Sequence, residues 1–163
     1  MSFRRNILAA VALTASLFAV SASAEGWSQL GPKTSYTVEQ VADAIRKSPL
    51  NENLKRYATA IGEEAMAETA GNAGVYNGTC CSGILGLNRG FLSLHGLTPK
   101  DYVQLSLQEQ IDLWARYANK HAVHPKLKAL IAARPNDGEA VVRCIQMGPG
   151  NCANDNSAKA GKI

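Results

Sequence analysis

Residues 54–68 read LKRYATAIGEEAMAE and decide the fold. This helix-forming stretch runs on to Gly71, and Asn51 or Asn53 supplies a cap before it. At about 100° per residue, its apolar side chains fall on one face of a helix; they are Leu54, Tyr57, Ile61 and Ala65. The stretch therefore predicts one amphipathic helix that packs on a hydrophobic core.

Helix signals continue on both sides of this stretch. Thr37 with Gln40, and Ser106 with Glu109, have capping-box spacing, in which the two side chains satisfy backbone N–H groups at a helix start. Strand signals are nearly absent, so the predicted fold class is mainly α, with five or six helices. Besides 54–68, helices are expected over 38–47, over 125–133 and, after Asp137, over 138–147. Two more are expected to begin at Pro99, after Thr98, and at Leu107. The second of these has an apolar stripe of Leu107, Ile111, Trp114 and Ala118.

The segment between Thr69 and Gly90 has a different pattern, with six glycines and no helical period. Long segments of this kind in compact domains are usually functional or disordered. Because this one carries two cysteines, we expect an ordered, functional loop.

The N-terminus has the pattern of an export signal. Arg4 and Arg5 precede an uncharged run of about 14 residues, and Ala22-Ser23-Ala24 has the spacing of a signal peptidase site. The run is short for roughly 30 Å of hydrocarbon, so no membrane association is expected after cleavage. We predict a signal peptide over 1–24, one domain over 25–152, a flexible tail over 153–163, and a periplasmic or secreted location.

Charge and metal-ligand spacing exclude two classes of partner. Without Arg4 and Arg5, the 17 basic residues become 15, against 13 acidic ones, and they are scattered along the chain. Nucleic-acid binding is therefore not expected. We predict no metal and no cofactor, because adjacent cysteines lack the gap of a zinc site. His95, His121 and His124 have no metal or catalytic spacing and are expected at the surface or at helix ends.

Cys80, Cys81, Cys144 and Cys152 form an even set in a chain with an export signal, which predicts two disulfides. Four cysteines allow three connectivities. A bond between neighbouring residues closes a strained ring, so we favour bonds from Cys80 and Cys81 to Cys144 and Cys152.

Glu68 is the first candidate for catalysis. Helix geometry places it on the same face as Ile61, near a helix C-terminus where the dipole is negative. Such a position is expected to raise the pKa of a carboxyl, which suits a general acid near neutral pH. The alternative is a carboxyl at the open end of the core that is solvated or paired with a basic side chain.

Several motifs occur in the order of a known family. Glu68-Thr69 is followed 15 positions after the Glu by Gly83-Ile-Leu-Gly-Leu-Asn88, then by a helix with Gln110 and Tyr117, and then by Met147-Gly-Pro-Gly150. Over about 54–151 the chain resembles the lysozyme-like lytic transglycosylases, in which a catalytic Glu ends a helix and a Gly-Leu-Met-Gln-Ile-type motif follows.

The resemblance implies a lysozyme-like helical domain whose Gly-rich loop borders the active site, and cleavage of the β-1,4 bond between N-acetylmuramic acid and N-acetylglucosamine in peptidoglycan. Glu68 would be the single acid and base, since no Asp or Glu occurs between Thr69 and Lys100.

The resemblance also implies that the Gly-rich loop approaches the Gly-Pro-Gly turn beside the cleft. It places Ile84, Leu85, Tyr117 and Gln146 at the substrate. Tyr76, Asn77 and Asn88 are further candidates, because sugar recognition pairs amides with aromatic faces, although Asn77-Gly78 and Asn88 also fit turn or cap positions.

Two positions depart from the family pattern. Gly86 stands where the motif has Gln, and Ile145 stands where the family has a Tyr. A sugar-binding amide and an active-site hydroxyl are thus missing. A second hypothesis is therefore a non-catalytic module that binds glycan or a partner protein, and a third is an unrelated helical protein such as an inhibitor or effector. For the enzyme, a secretion or conjugation apparatus and an inhibitor protein are expected as further partners.

Overall fold

The structure is a computed structural model that describes residues 26–154. The predicted signal peptide, and residues 155–163 of the predicted tail, lie outside the described residues. The described chain is mainly helical, as expected. Within it, no helix has the length and apolar character needed to cross a membrane.

Eight α-helices and a short sheet make up the described part of the chain. The helices are α1 Val38–Lys47, α2 Glu52–Lys55, α3 Ala58–Thr69, α4 Arg89–Leu94, α5 Pro99–Tyr102, α6 Leu107–Ala122, α7 Pro125–Ala133 and α8 Gly138–Met147, and a 3₁₀-helix Pro149–Asn154 follows. The predicted caps are confirmed, since Thr37, Thr98, Ser106 and Asp137 each accept a hydrogen bond from the first turn of the next helix. The short helix α4 was not expected.

The prediction of one helix over 54–68 is wrong, because the stretch contains a break between α2 and α3. Tyr57 has non-helical backbone angles, φ −94° and ψ 15°. The Tyr57 hydroxyl donates to the Pro135 carbonyl at 2.9 Å, and the Arg56 guanidinium donates to the same oxygen. The apolar stripe still faces the core, and the side chains of Leu54, Tyr57, Ile61 and Ala65 are buried.

The Gly-rich segment is ordered, but it is not a loop throughout. It contains three two-residue strands, β2 Val75–Tyr76, β3 Cys81–Ser82 and β4 Leu87–Asn88. A fourth strand, β1 Ser28–Gln29, pairs with β2, and the antiparallel order is β1-β2-β3-β4. Strands this short carry no alternating pattern of apolar and polar residues, so they could not be predicted from periodicity.

The core forms around helices α1, α3, α6 and α8. Helix α1 buries Val41 and Ile45, and Trp114 of α6 is completely buried. Gly62 allows α1 and α3 to pack closely, because a Cβ atom at this position would lie 2.5 Å from the Val38 carbonyl oxygen.

The predicted disulfide pairing is wrong. Cys80 bonds its neighbour Cys81, and Cys144 bonds Cys152. The Gly148-Pro149-Gly150 turn reverses the chain directly after α8, which brings the Cα atoms of Cys144 and Cys152 to 4.7 Å, a normal separation for a disulfide. The sequence argument gave too little weight to this local return of the chain.

The two disulfides should differ in their contribution to stability. Replacing Cys144 and Cys152 together by Ala should lower the free energy of unfolding by about 2 kcal/mol, since that bond closes a loop of several residues. Replacing Cys80 and Cys81 together should cost less, on the order of 1 kcal/mol, because a ring of two neighbours restricts the unfolded chain little. Urea denaturation of both double variants measures the difference.

Peptide mapping under non-reducing conditions is the control for this prediction. It should yield a fragment that contains Cys80 and Cys81, has no free thiol and is linked to no other fragment. A fragment that joins Cys80 or Cys81 to Cys144 or Cys152 would contradict the pairing.

Candidate functional site

Glu68 lies in the last turn of α3, and its side chain is exposed. The expectation that it faces the core is therefore wrong. The buried side of this turn is occupied instead by Thr69, which is only 3% exposed. Ala70 then ends the helix in the left-handed conformation, with φ 52°. Glu68 is thus a solvent-accessible carboxyl on a well-anchored helix end.

Thr69 connects this helix end to the Gly83–Gly86 turn between β3 and β4. Its hydroxyl lies 3.0 Å from the Ala65 carbonyl oxygen and 2.9 Å from that of Ile84. The second bond spans 15 residues and joins the two motifs that the resemblance had paired. The position of Glu68 relative to this turn is therefore fixed by a buried hydrogen bond.

Gln110 of α6 is hydrogen-bonded to the same turn. The amide of this fully buried residue accepts a hydrogen bond from the Ile84 N–H at 3.2 Å and donates to the carbonyls of Ala73 and Leu105 at 3.1 and 3.2 Å. The Tyr102 hydroxyl donates to the Gln110 carbonyl at 3.0 Å. Gln110 was not among the predicted site residues, although it belongs to the motif that carried the resemblance.

Helix α8 reaches the turn through Gln146. The Gln146 amide donates to the Leu85 carbonyl at 3.0 Å and accepts from the Trp114 indole at 3.2 Å. The turn and the end of α8 therefore do approach one another, but a side-chain hydrogen bond joins them in place of the predicted disulfides. Both hydrogen-bonding atoms of this half-buried amide are engaged.

The remaining predicted contacts have different surroundings. Ile84 and Leu85 are fully buried, so their side chains serve packing and are out of reach of a ligand. The half-buried Tyr117 donates from its hydroxyl to the Ile145 carbonyl at 3.4 Å, and burial raises its pKa. Its ring meets Phe91 and His121 edge to face, with centroids 5.5 and 4.6 Å away.

Asn77 and Asn88 fill the turn and cap positions that the sequence had left as an alternative. The Asn77 side-chain oxygen accepts hydrogen bonds from the backbone N–H groups of residues 79, 80 and 81. Asn88 caps α4 by accepting from the Gly90 N–H at 2.7 Å, and its side chain is exposed. Tyr76 is half-buried, and its hydroxyl lies 3.4 Å from the Thr79 carbonyl oxygen. These roles leave the Asn88 amide nitrogen and the Tyr76 ring accessible.

Glu64 is a second carboxyl on α3. It lies one turn before Glu68 on α3 and is half-buried. Burial raises its pKa, the charge of Glu68 raises it further, and Arg143 of α8 acts in the opposite direction. A half-buried carboxyl next to an exposed one is a feature that periodicity alone does not reveal.

The raised pKa of Glu64 predicts a pH-dependent effect on stability. Because the folded state holds the proton more tightly, wild type loses stability as pH rises from the ordinary pKa of 4.5 through the folded value. Glu64→Gln should therefore be more stable than wild type at pH 7, by about 0.5 kcal/mol or less for a half-exposed group. Denaturant midpoints at pH 4 and pH 7 test this, with the exposed Glu63→Gln as the control. An equal gain at both pH values would refute the explanation.

Among the described residues, no three His, Cys, Asp or Glu side chains lie close enough together to hold an ion. His95 ends α4, His121 lies in the last turn of α6, and His124 caps α7. The depressions lined by Glu63, by Leu54 and by Leu113 do not include Glu68.

The described chain is thus a mainly helical domain with two disulfides, in which buried polar bonds fix an exposed glutamate to a Gly-rich turn. Comparisons with protein-family models, curated proteins and solved structures find no match. We therefore infer function from the geometry of the side chains.

Proposed function

We propose that this protein is an exported peptidoglycan-cleaving glycosidase of the lytic transglycosylase type, with Glu68 as its single acid and base. The observation that carries the proposal is the buried bond from Thr69 to the Ile84 carbonyl. It places an exposed carboxyl at a helix end beside a Gly-rich turn, which is the pairing that the resemblance to lysozyme-like lytic transglycosylases implies. The proposed location is the periplasm or the cell exterior.

The proposed reaction needs only one carboxyl. Protonated Glu68 gives its proton to the glycosidic oxygen as that oxygen leaves the anomeric carbon, and the resulting carboxylate then removes a proton from the 6-hydroxyl of the same sugar. The 6-oxygen forms a new bond to the anomeric carbon, so the product is an anhydro sugar and Glu68 recovers its proton. Water in place of the 6-hydroxyl would give hydrolysis.

A two-carboxylate mechanism has less support. Retaining and inverting glycosidases place two carboxyl groups on opposite sides of the scissile bond. Glu64, which affects Glu68 electrostatically, lies on the same helix, and its raised pKa disfavours the anion that a nucleophile requires. The segment from Thr69 to Lys100 provides no other carboxyl. These observations favour the single-acid reaction.

The second candidate is a module that binds glycan or a partner protein without cleaving it. It is favoured by Gly86 and Ile145, which provide no amide and no hydroxyl where the family has them. Ile145 is almost completely buried, and the neighbouring Gln146 amide is already bonded to Leu85 and Trp114. For the enzyme, a secretion or conjugation apparatus or an inhibitor protein remains a proposed partner.

Digestion of purified peptidoglycan in ¹⁸O-labelled water tests the proposal. The transglycosylase predicts anhydro-muropeptides without the label, whereas a hydrolase produces labelled reducing ends. A folded, disulfide-bonded protein that sediments with peptidoglycan but releases nothing would instead support the binding module.

A further inference from the structure

The outer face of the short sheet carries a row of side chains that includes two predicted sugar contacts, Asn77 and Asn88, and one residue that was not predicted, Trp27. The strand register sets Cys81 opposite Asn88, and the Asn77 N–H donates to the Cys81 carbonyl at 3.0 Å. Ser28 pairs with Tyr76, so Trp27, one residue earlier, continues the row beside Asn77. The row therefore consists of Trp27, Asn77, Cys81 and Asn88, and none of the four is buried.

The Trp27 indole lies over Gly86. A methyl group added at Gly86 would lie 3.3 Å from Cη2 of Trp27 and 3.8 Å from Cβ of Cys81. Gly86 also has φ +58°, a conformation that other residues rarely adopt. The place where the resembled family has a glutamine side chain is therefore occupied by the indole of Trp27, the residue directly before β1.

The indole is suited to bind a sugar. Trp27 is half-buried, which leaves part of the ring accessible, and its N–H forms no hydrogen bond with any described residue. The Asn88 amide nitrogen is exposed at the other end of the row, and no hydrogen bond of the described residues uses it. An aromatic ring with its own N–H donor, at one end of a row that finishes with an amide donor, presents both surfaces that a pyranose ring requires, an apolar face and hydrogen-bonding groups.

We propose that Trp27 is the stacking platform for an N-acetylhexosamine ring of the glycan strand, next to the bond cleaved by Glu68. The proposal rests on the proposed function and assigns it a binding residue that replaces the missing amide at Gly86. The connection to Glu68 is short, because Thr69 bonds to Ile84 and Gly86 is two residues further on, at most roughly 7 Å along the chain.

Binding of the hexamer of β-1,4-linked N-acetylglucosamine tests the platform. We would measure the affinity by calorimetry on the full protein after its natural processing in the cell. The protein carries Glu68→Gln so that the hexamer is not consumed. Trp27→Ala should weaken binding on the order of tenfold, and Trp27→Phe should recover most of the affinity because it keeps an aromatic face. Leu30→Ala is the matched control, since Leu30 is also exposed on the N-terminal segment and should bind like the parent.

Fluorescence quenching locates the sugar independently. Of the two tryptophans, Trp114 is completely buried, so a soluble quencher such as acrylamide reaches mainly Trp27. The hexamer should protect Trp27 from the quencher with the same midpoint that calorimetry gives. A hexamer that binds without protecting Trp27, and with equal affinity for Trp27→Ala, would overturn the platform and leave the proposed function intact.

Two further outcomes would also count against the platform. If Trp27→Ala and Trp27→Phe lose binding equally and both unfold at lower denaturant concentration, the role of Trp27 is structural. If wild type neither binds the hexamer nor digests peptidoglycan, the proposed function fails, and the platform fails with it.

Discussion

Glu68→Gln should lower the rate of peptidoglycan digestion by at least about 100-fold, because glutamine cannot donate or accept the proton in the proposed reaction. Glu68 is exposed and forms no ion pair or hydrogen bond with the described residues, so the variant should fold and unfold like wild type. Rates of muropeptide release, measured alongside a denaturation curve, separate the chemical effect from any effect on folding.

The matched controls for Glu68 lie on the same helix. Glu63→Gln removes an exposed carboxyl that lines a depression between α3 and the loop before α8, and it should keep wild-type activity. Glu64→Gln should also remain active, because Glu64 is assigned no proton-transfer step. Full activity in Glu68→Gln, or an equal loss in Glu63→Gln, would remove Glu68 from its proposed role.

Gln110→Leu should lower the free energy of unfolding by about 3 kcal/mol, because it leaves a buried N–H and two buried carbonyl groups without their partner. Leucine has a similar size, so the loss reports on hydrogen bonds more than on a cavity. Urea denaturation measures the change. Because Gln110 supports the turn at Ile84, we also expect lower digestion activity under conditions where the variant is still folded.

Gln104→Leu is the control for this prediction. Gln104 is an exposed glutamine shortly before α6, and its replacement should change stability by less than about 0.5 kcal/mol. A loss below about 1 kcal/mol in Gln110→Leu would show that the turn does not depend on this amide.

Much of the helical fold was predictable because its signals are local. Thr37, Thr98, Ser106 and Asp137 satisfy N–H groups within three residues of themselves, so their spacing in the sequence is enough to place the helix starts. The buried stripe of α3 was predictable for the same reason, since helix geometry alone determines which side chains share a face.

What the sequence did not reveal depends on distant partners. The break at Tyr57 is held by the carbonyl of Pro135, 78 residues away in the chain. Glu68 is exposed because Thr69 occupies the buried side of the last turn of α3. There the Thr69 hydroxyl donates a hydrogen bond to the Ile84 carbonyl. The pairing of Cys144 with Cys152 depends on how the Gly148-Pro149-Gly150 turn reverses the chain after α8. That reversal could not be predicted from the sequence.

The candidate site was predictable in part. The resemblance selected Glu68 and the Gly83–Gly86 turn, and the structure brings the two together through Thr69. The half-buried state of Glu64 and the position of Trp27 over Gly86 had no signal in the sequence, because both result from packing between segments. Ile84 and Leu85 matched the motif but are buried, so a motif match does not establish contact with a ligand.

The most direct test of the central claim is mass spectrometry of the material that wild type and Glu68→Gln release from purified peptidoglycan, with both proteins folded and fully oxidised. We predict soluble muropeptides with anhydro ends from wild type and almost none from Glu68→Gln. Release of no muropeptides by wild type, or of the same products at the same rate by Glu68→Gln, would contradict the account.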